Sequence, residues 1–272
     1  LVCHRARGPA GIQGSEGQHF HRTAGPLPFF SQSPKRMGVF HLAQGIAVVS
    51  LAEPYAIQVT ASWMNMRPGP GVFSPAQEYF QFDLGMGVAL FLFFSALAHF
   101  VIAGPAYAKY VEGLKQNHNY YRWIEYAFSS SVMVVLIASL VGITDIAALT
   151  AIFGVNASMI LFGWLMEKYE QPGKPDWTPF IFGSIAGLFP WLAIADYLWG
   201  PGASDLTPTF VYWIFASMFV FFNSFAINQV LQYKQVGKWK DYLFGESSYV
   251  FLSLAAKSLL AWLVFANVLI PQ

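Results

Sequence analysis

The chain has 272 residues, of which 56% are hydrophobic, 18% aromatic and only 11% charged, with a formal net charge of +1. A charged fraction below half of the roughly 25% usual in soluble domains excludes a disordered chain, a coiled coil and an ordinary soluble enzyme. The near-neutral balance leaves no basic surplus to neutralise the phosphates of a nucleic acid. The single cysteine, Cys3, excludes an internal disulfide framework or a cysteine-based metal site.

Residues 1–36 read as a mobile polar tail, with frequent Gly and Pro, no apolar run and no secretory hydrophobic segment. Its histidines His4, His19 and His21 have no recognisable metal-ligand spacing, and the tail is expected to be an extension with no function of its own. Residues 37–272 form the domain. Seven apolar runs follow at about 39–62, 85–106, 120–142, 146–166, 179–199, 208–231 and 248–269. Each is near the 20 or so residues that an α-helix needs to cross the hydrocarbon of a bilayer. Runs such as Val132-Met133-Val134-Val135-Leu136-Ile137 lack the alternation of a transmembrane strand, so the expected fold is an all-α bundle of seven transmembrane helices. Between the first two runs, Val72-Phe73 and Tyr79-Phe80-Gln81-Phe82 flank Ser74-Pro75 and predict a short hairpin on the membrane surface.

Orientation follows from loop cations. Lys35, Arg36, Lys109, Lys115, Lys168, Lys174, Lys234, Lys238 and Lys240 all fall at the end of the bundle that carries the N-terminus, against Arg67 alone at the other end. Glu78, Asp83, Asp145 and Asp205 stand with Arg67. The expectation is an inverted topology in a cell membrane, with the N-terminus cytoplasmic and Pro271-Gln272 outside.

An ionisable side chain inside a span is costly and points to function. Lys257 lies about ten residues into the last run, too deep to reach the interface easily. A lysine in a dry pocket suits Schiff-base formation with a carbonyl ligand, although a structural ion pair between helices is the alternative. Glu125, in the third run, enters from the same side and is the acid at matching depth. Arg122 lies one turn before it and Ser129 one turn after it, while Ser253 lies one turn before Lys257. A buried cation facing Glu125, with Ser253 and Ser129 supplying hydrogen bonds, would leave no charge unpaired. His41 and His99 fall in the same half of their spans. They read either as hydrogen-bonded core residues or as groups able to take a proton transiently. Glu53, before Pro54, reads as an interfacial residue.

These residues carry a family resemblance. Arg122-Trp123-Ile124-Glu125-Tyr126 with Ser129-Ser130-Ser131, the run Ile152 to Trp164 (IFGVNASMILFGW), and Phe221-Phe222-Asn223-Ser224-Phe225-Ala226 are similar to heliorhodopsins, a branch of the microbial retinal-binding proteins. Gly237-Lys238-Trp239, Ala255-Ala256-Lys257-Ser258, Val39-Phe40-His41-Leu42 and His99-Phe100 add to it, over roughly residues 35–272. The resemblance implies all-trans-retinal bound to Lys257 as a protonated Schiff base, with Glu125 as counterion. It also implies a proton-accepting region around His41, His99 and Arg122. Position then nominates pocket residues: Tyr126 and Ser130 beside the counterion, Met159 and Gly163 on the fourth span, Trp191 and Phe222 on the fifth and sixth, and, more weakly, Gln229.

Light-driven proton pumps of the wider class place a carboxylate eleven residues after the counterion and another four before the lysine. Here those positions are Leu136 and Ser253. The expectation is therefore a light-sensing photoreceptor that signals and is not an enzyme. The alternatives are a light-driven transporter and a light-dependent regulator of a soluble cytoplasmic enzyme. Expected partners are retinal, membrane lipid, an unidentified cytoplasmic signalling protein and a second copy of the chain. Gly183 and Gly187 offer a small-residue face for close helix contact, within the bundle or between protomers.

Overall fold

The computed structural model describes residues 27–64, 74–203 and 207–270. Among them are eight α-helices: α1 (Leu27–Leu51), α2 (Leu84–Ala103), α3 (Tyr107–Lys115), α4 (Tyr120–Leu140), α5 (Ile146–Tyr169), α6 (Thr178–Trp199), α7 (Thr209–Tyr233) and α8 (Tyr242–Val264). Six of these, α2 and α4 to α8, are long and apolar enough to cross a membrane. α1 does not meet that measure because its first ten residues, through Pro34-Lys35-Arg36, are largely polar. The short α3 lies in the connection between α2 and α4.

The ends of the helices are set by side chains that occupy otherwise unpaired backbone N–H groups. Asp83 accepts from Met86 N at the start of α2, Asn119 from Arg122 N at α4, Asp145 from Ala147 N and Ala148 N at α5, and Asp241 from Leu243 N at α8. The Asp241 cap starts the last helix well before residue 248, where the apolar run begins. At its far end α8 passes into a π-helical stretch, Phe265–Leu269.

Helix α1 departs at both ends from the first apolar run, 39–62. It begins at Leu27, so residues 27–36 are helical, with Pro28 in the first turn, where its missing N–H costs no hydrogen bond. It stops at Leu51, because Pro54 disfavours helix in the residue before it. The chain continues as strand β1 (Ala56–Ala61), antiparallel to β2 (Gln77–Asp83) with Ala56 opposite Asp83 and an irregularity between Val59 and Thr60. A hairpin is present, but its first strand is Ala56–Ala61, residues that the apolar run 39–62 assigns to a helix. Val72 and Phe73 lie outside the described residues, as do Cys3, His4, His19, His21, Arg67, Asp205, Pro271 and Gln272. Thr60 N donates to Thr144 O (2.9 Å) and the two threonine hydroxyls are 3.0 Å apart, which ties the hairpin to the α4–α5 turn.

Neighbouring helices pack in the order α1, α2, α4, α5, α6, and α7 packs on α8, which returns to α1 and α2. Trp191 of α6 meets Phe215, Phe219 and Phe222 of α7 edge to face at 5.3–5.5 Å, closing the ring. The enclosed interior is divided by polarity. Towards the hairpin end it is hydrocarbon, with Val88, Phe91, Leu136, Ile137, Ile214 and Leu260 fully or almost fully buried. Towards the lysine-rich end the buried residues include His41, Arg122, Asn156, Gln229, Glu246 and Lys257.

Candidate functional site

Two helix faces build the polar half. On α8, Glu246, Tyr249, Ser253 and Lys257 follow at spacings of three and four and are all buried, forming one inward stripe. On α4, Arg122, Glu125, Tyr126 and Ser129 form the facing stripe. Two separate ion-pair systems join them across the bundle.

In the first, Lys257 Nζ donates to Glu125 Oε1 at 2.8 Å and to Ser253 Oγ at 2.9 Å. The two charged side chains are only 4% and 10% exposed, so little water screens the pair. Glu125 Oε1 also accepts from Ser95 Oγ of α2 at 2.6 Å, a contact no spacing rule within α4 could suggest. Ser129, expected to share this role, is fully buried on the cavity side of α4, one turn past the carboxylate on which its hydroxyl acts. The Tyr126 ring lies 5.2 Å below the ammonium, and its hydroxyl donates to Tyr249 O at 2.9 Å.

The second system involves Arg122. Grouped with the histidines from sequence, it instead forms a cluster of its own with two carboxylates. Its Nη2 stands 2.9 Å from Glu167 Oε1 of α5 and 3.0 Å from Glu246 Oε1 of α8. The guanidinium lies over both the Trp123 and Tyr249 rings, 4.0 Å from each centroid. Glu167 further accepts from Trp123 Nε1 (2.6 Å), Asn119 N (2.9 Å) and Tyr242 OH (3.1 Å), and Glu246 from Asn119 Nδ2 (2.8 Å). Glu167 and Glu246 escaped the sequence reading because each lies just beyond the apolar run that defined its span. The signal was available in spacing: Glu246 stands eleven residues, about three helical turns, before Lys257.

His41 of α1 and His99 of α2 stack with ring centroids 5.7 Å apart. His41 is buried with neither ring nitrogen hydrogen-bonded, and the charges of Lys257 and Glu125 act on both rings. Asn156, from the distinctive run on α5, donates to Ser130 Oγ (2.9 Å) and Ser131 Oγ (3.0 Å), fixing α5 to α4 below the carboxylate. Outside the spans, burial pushes the Tyr110 phenol of α3 up, and the Asp176 carboxyl is held down by hydrogen bonds from Thr178.

Lys257 and Ser253 stand at one end of a cavity of about 220 Å³ that runs between α4, α5, α6 and α7. Tyr126, Ser129, Ser130, Met159, Gly163, Trp191, Phe222 and Gln229, all proposed from sequence position, line it together. Two glycines keep it open. A Cβ at Gly163 would overlap the Trp123 ring, and one at Gly187 would overlap the Met159 sulfur. The Gly183–Gly187 face is thus occupied within the bundle, against α5.

A multi-pass helical membrane protein whose buried lysine faces a carboxylate at the end of an apolar slot has the architecture of a retinal-binding protein. The sequence model of one family, heliorhodopsin, matches residues 34–269. The chain belongs to the heliorhodopsin family, whose members are retinal-binding membrane photoreceptors. No curated protein matches the chain.

Proposed function

We propose that this protein is a light-sensing photoreceptor that holds all-trans-retinal on Lys257 and signals by a conformational change, without steady ion transport. The observation that carries the reading is the 2.8 Å Lys257–Glu125 pair, whose lysine lines a largely apolar cavity. The residues present suit the chromophore: an amine at one end, an aromatic-lined slot, and a cradle left open by Gly163 and Gly187. When bound through a protonated Schiff base, retinal supplies light absorption and double-bond isomerisation.

The chain's own residues do the rest. Glu125 balances positive charge at the Lys257 nitrogen and keeps it protonated in the dark, since an adjacent anion favours the charged form. Ser95 and Ser253 fix the two partners in position. Were the nitrogen to move away from Glu125, that support would be lost, and the His41–His99 pair, on which both charges act, would be placed to take its proton. The altered charge balance between α4 and α8 then favours a second arrangement of the helices. Movement of the proton stays within the polar half, because Leu136 and its neighbours fill the other half with hydrocarbon and leave no chain of polar groups among the described residues.

We read the topology as seven spans, with α1 completing the six apolar helices, and the lysine-rich end as cytoplasmic in the plasma membrane. Residues 37–272 form the retinal-binding domain and associate as a homodimer. The test is purification after addition of all-trans-retinal. A visible band lost in Lys257→Ala is expected, and a colourless native protein would overturn the reading. In voltage-clamped cells illumination is expected to give no sustained current; a steady photocurrent would replace signalling with transport.

A further inference from the structure

A groove between α7 and α8, separate from the retinal cavity, encloses about 420 Å³ and opens on the outside of the bundle. Its α8 wall is graded, from Ser247 and Ser248 to Phe251 and Leu252, while its α7 wall mixes Leu231, Asn228, Ile227 and Ser224. Asn228, Ser248 and Trp239, the last from the 3₁₀ turn Gly237–Lys240, line the lysine-rich end, and Ser224, Phe251 and Leu252 line it one turn deeper. Phe251 is 67% exposed on the bundle's outer surface.

The rim is rigid and positively charged. Trp239 Nε1 donates to Asn228 Oδ1 at 2.6 Å, and the Ser247 and Ser248 hydroxyls donate to Leu243 O and Phe244 O, which leaves the serine oxygens free to accept. The Phe244 ring meets Trp239 edge to face at 5.1 Å, and Lys238 Nζ stands 5.9 Å from the Phe244 ring centre. Among the described residues Lys234, Lys238 and Lys240 form no ion pair. Lys238 and Lys240 thus flank Trp239 in the turn at the mouth of the groove, while Lys234 Nζ lies over Trp177.

We propose that this groove binds an anionic phospholipid, its phosphate held by Lys238 and Lys240 and one acyl chain laid along Phe251 and Leu252. The order of lysine-bearing turn, serine hydroxyls and hydrocarbon along the α8 wall matches the order of groups along such a lipid, and an anionic leaflet attracts juxtamembrane lysines. A second copy of the chain fits less well. A two-fold contact here would bring two lysine-bearing turns together.

The proposal is independent of the chromophore and is tested on the whole chain by native mass spectrometry from micelles containing equal amounts of phosphatidylglycerol and phosphatidylcholine. Retention of phosphatidylglycerol over phosphatidylcholine is expected, with Lys238→Gln and Lys240→Gln each lowering the preference roughly fivefold. Ser224→Phe fills the deep end and is expected to abolish retention of both lipids. The Ser224 hydroxyl bonds only its own helix, at Val220 O, so no tertiary contact is lost. Equal retention of the two lipids by the native chain overturns the proposal, as does undiminished retention in Ser224→Phe. A dimer that dissociates on that substitution also overturns it, by assigning the groove to a second protomer. Should Ser224→Phe fail to fold, an unchanged preference in the two lysine variants is sufficient to refute it.

Discussion

Arg122→Met tests whether the second ion-pair system is a structural requirement of the bundle. The guanidinium lies about 3 Å from a carboxylate on each of two other helices, and the side chains of Arg122, Glu167 and Glu246 are 4%, 5% and 1% exposed. Removing the cation leaves two carboxylates facing one another without water, and breaking a buried pair in this way costs about 3–5 kcal/mol. Glu246→Gln is milder, because Arg122 keeps Glu167 and the amide can still accept from Asn119; a loss of about 1–2 kcal/mol is expected. In the double variant one of the stranded charges is gone. Its loss should therefore fall short of the sum of the single losses by about 1–3 kcal/mol, the coupling expected of groups in direct contact. The assay is reversible unfolding in mixed micelles of rising denaturing-detergent content, followed by helical circular dichroism. At 1.4 kcal/mol per decade, Arg122→Met should raise the unfolding constant roughly a hundredfold to several-thousandfold. A single-variant loss below about 1 kcal/mol, or strict additivity in the double variant, would show that water already solvates the cluster.

Three further substitutions probe the site and a loop outside it. Ser95→Ala removes the 2.6 Å hydrogen bond to Glu125, so the visible band of the retinal-loaded protein should shift in the same direction as in Glu125→Gln, by a smaller amount; unchanged absorption in both would remove Glu125 from the counterion role. Gly163→Ala sets a methyl group against the Trp123 ring, which cannot retreat because it is pinned by Glu167 and Arg122. A destabilisation of about 1–3 kcal/mol and reduced chromophore loading are expected, and full loading would show that the slot tolerates more volume than its walls suggest. Asp176, outside the spans, accepts from Thr178 N (2.9 Å) and Oγ1 (2.7 Å), which holds its carboxyl below the usual range. Its favourable contribution is present above the unfolded-state value and disappears as pH falls through the lower folded value. Thr178→Val should move the carbon-13 NMR titration of that carboxyl upward; a midpoint that stays in place would assign the depression to the backbone N–H alone.

The parts of the site that were legible in the sequence share one property: they are anomalies against an apolar background. Lys257 and Glu125 are visible because charge inside a span needs a partner, and two helices entering from the same side set their depths. Ser253 follows from helical spacing. Ser95 does not, since a serine in an apolar helix carries no mark of which neighbouring helix it faces. Glu167 and Glu246 sit where a hydropathy boundary looks like the water interface, yet α5 and α8 continue past it into protein. Ser129, one turn past Glu125, is reached by the same helical spacing.

Composition and apolar run length were enough to define a helical membrane protein, because the cost of unpaired backbone groups in hydrocarbon permits few architectures. Loop cations and the depth of Lys257 narrowed the reading to one lysine and one acid. Only the tertiary structure decided that 56–61 pairs with 77–83 as a strand, that Arg122 serves Glu167 and Glu246, and that the glycines of α6 meet α5. Those outcomes depend on how helices rotate and approach one another, which is fixed by packing and hydrogen bonds between residues far apart in the chain.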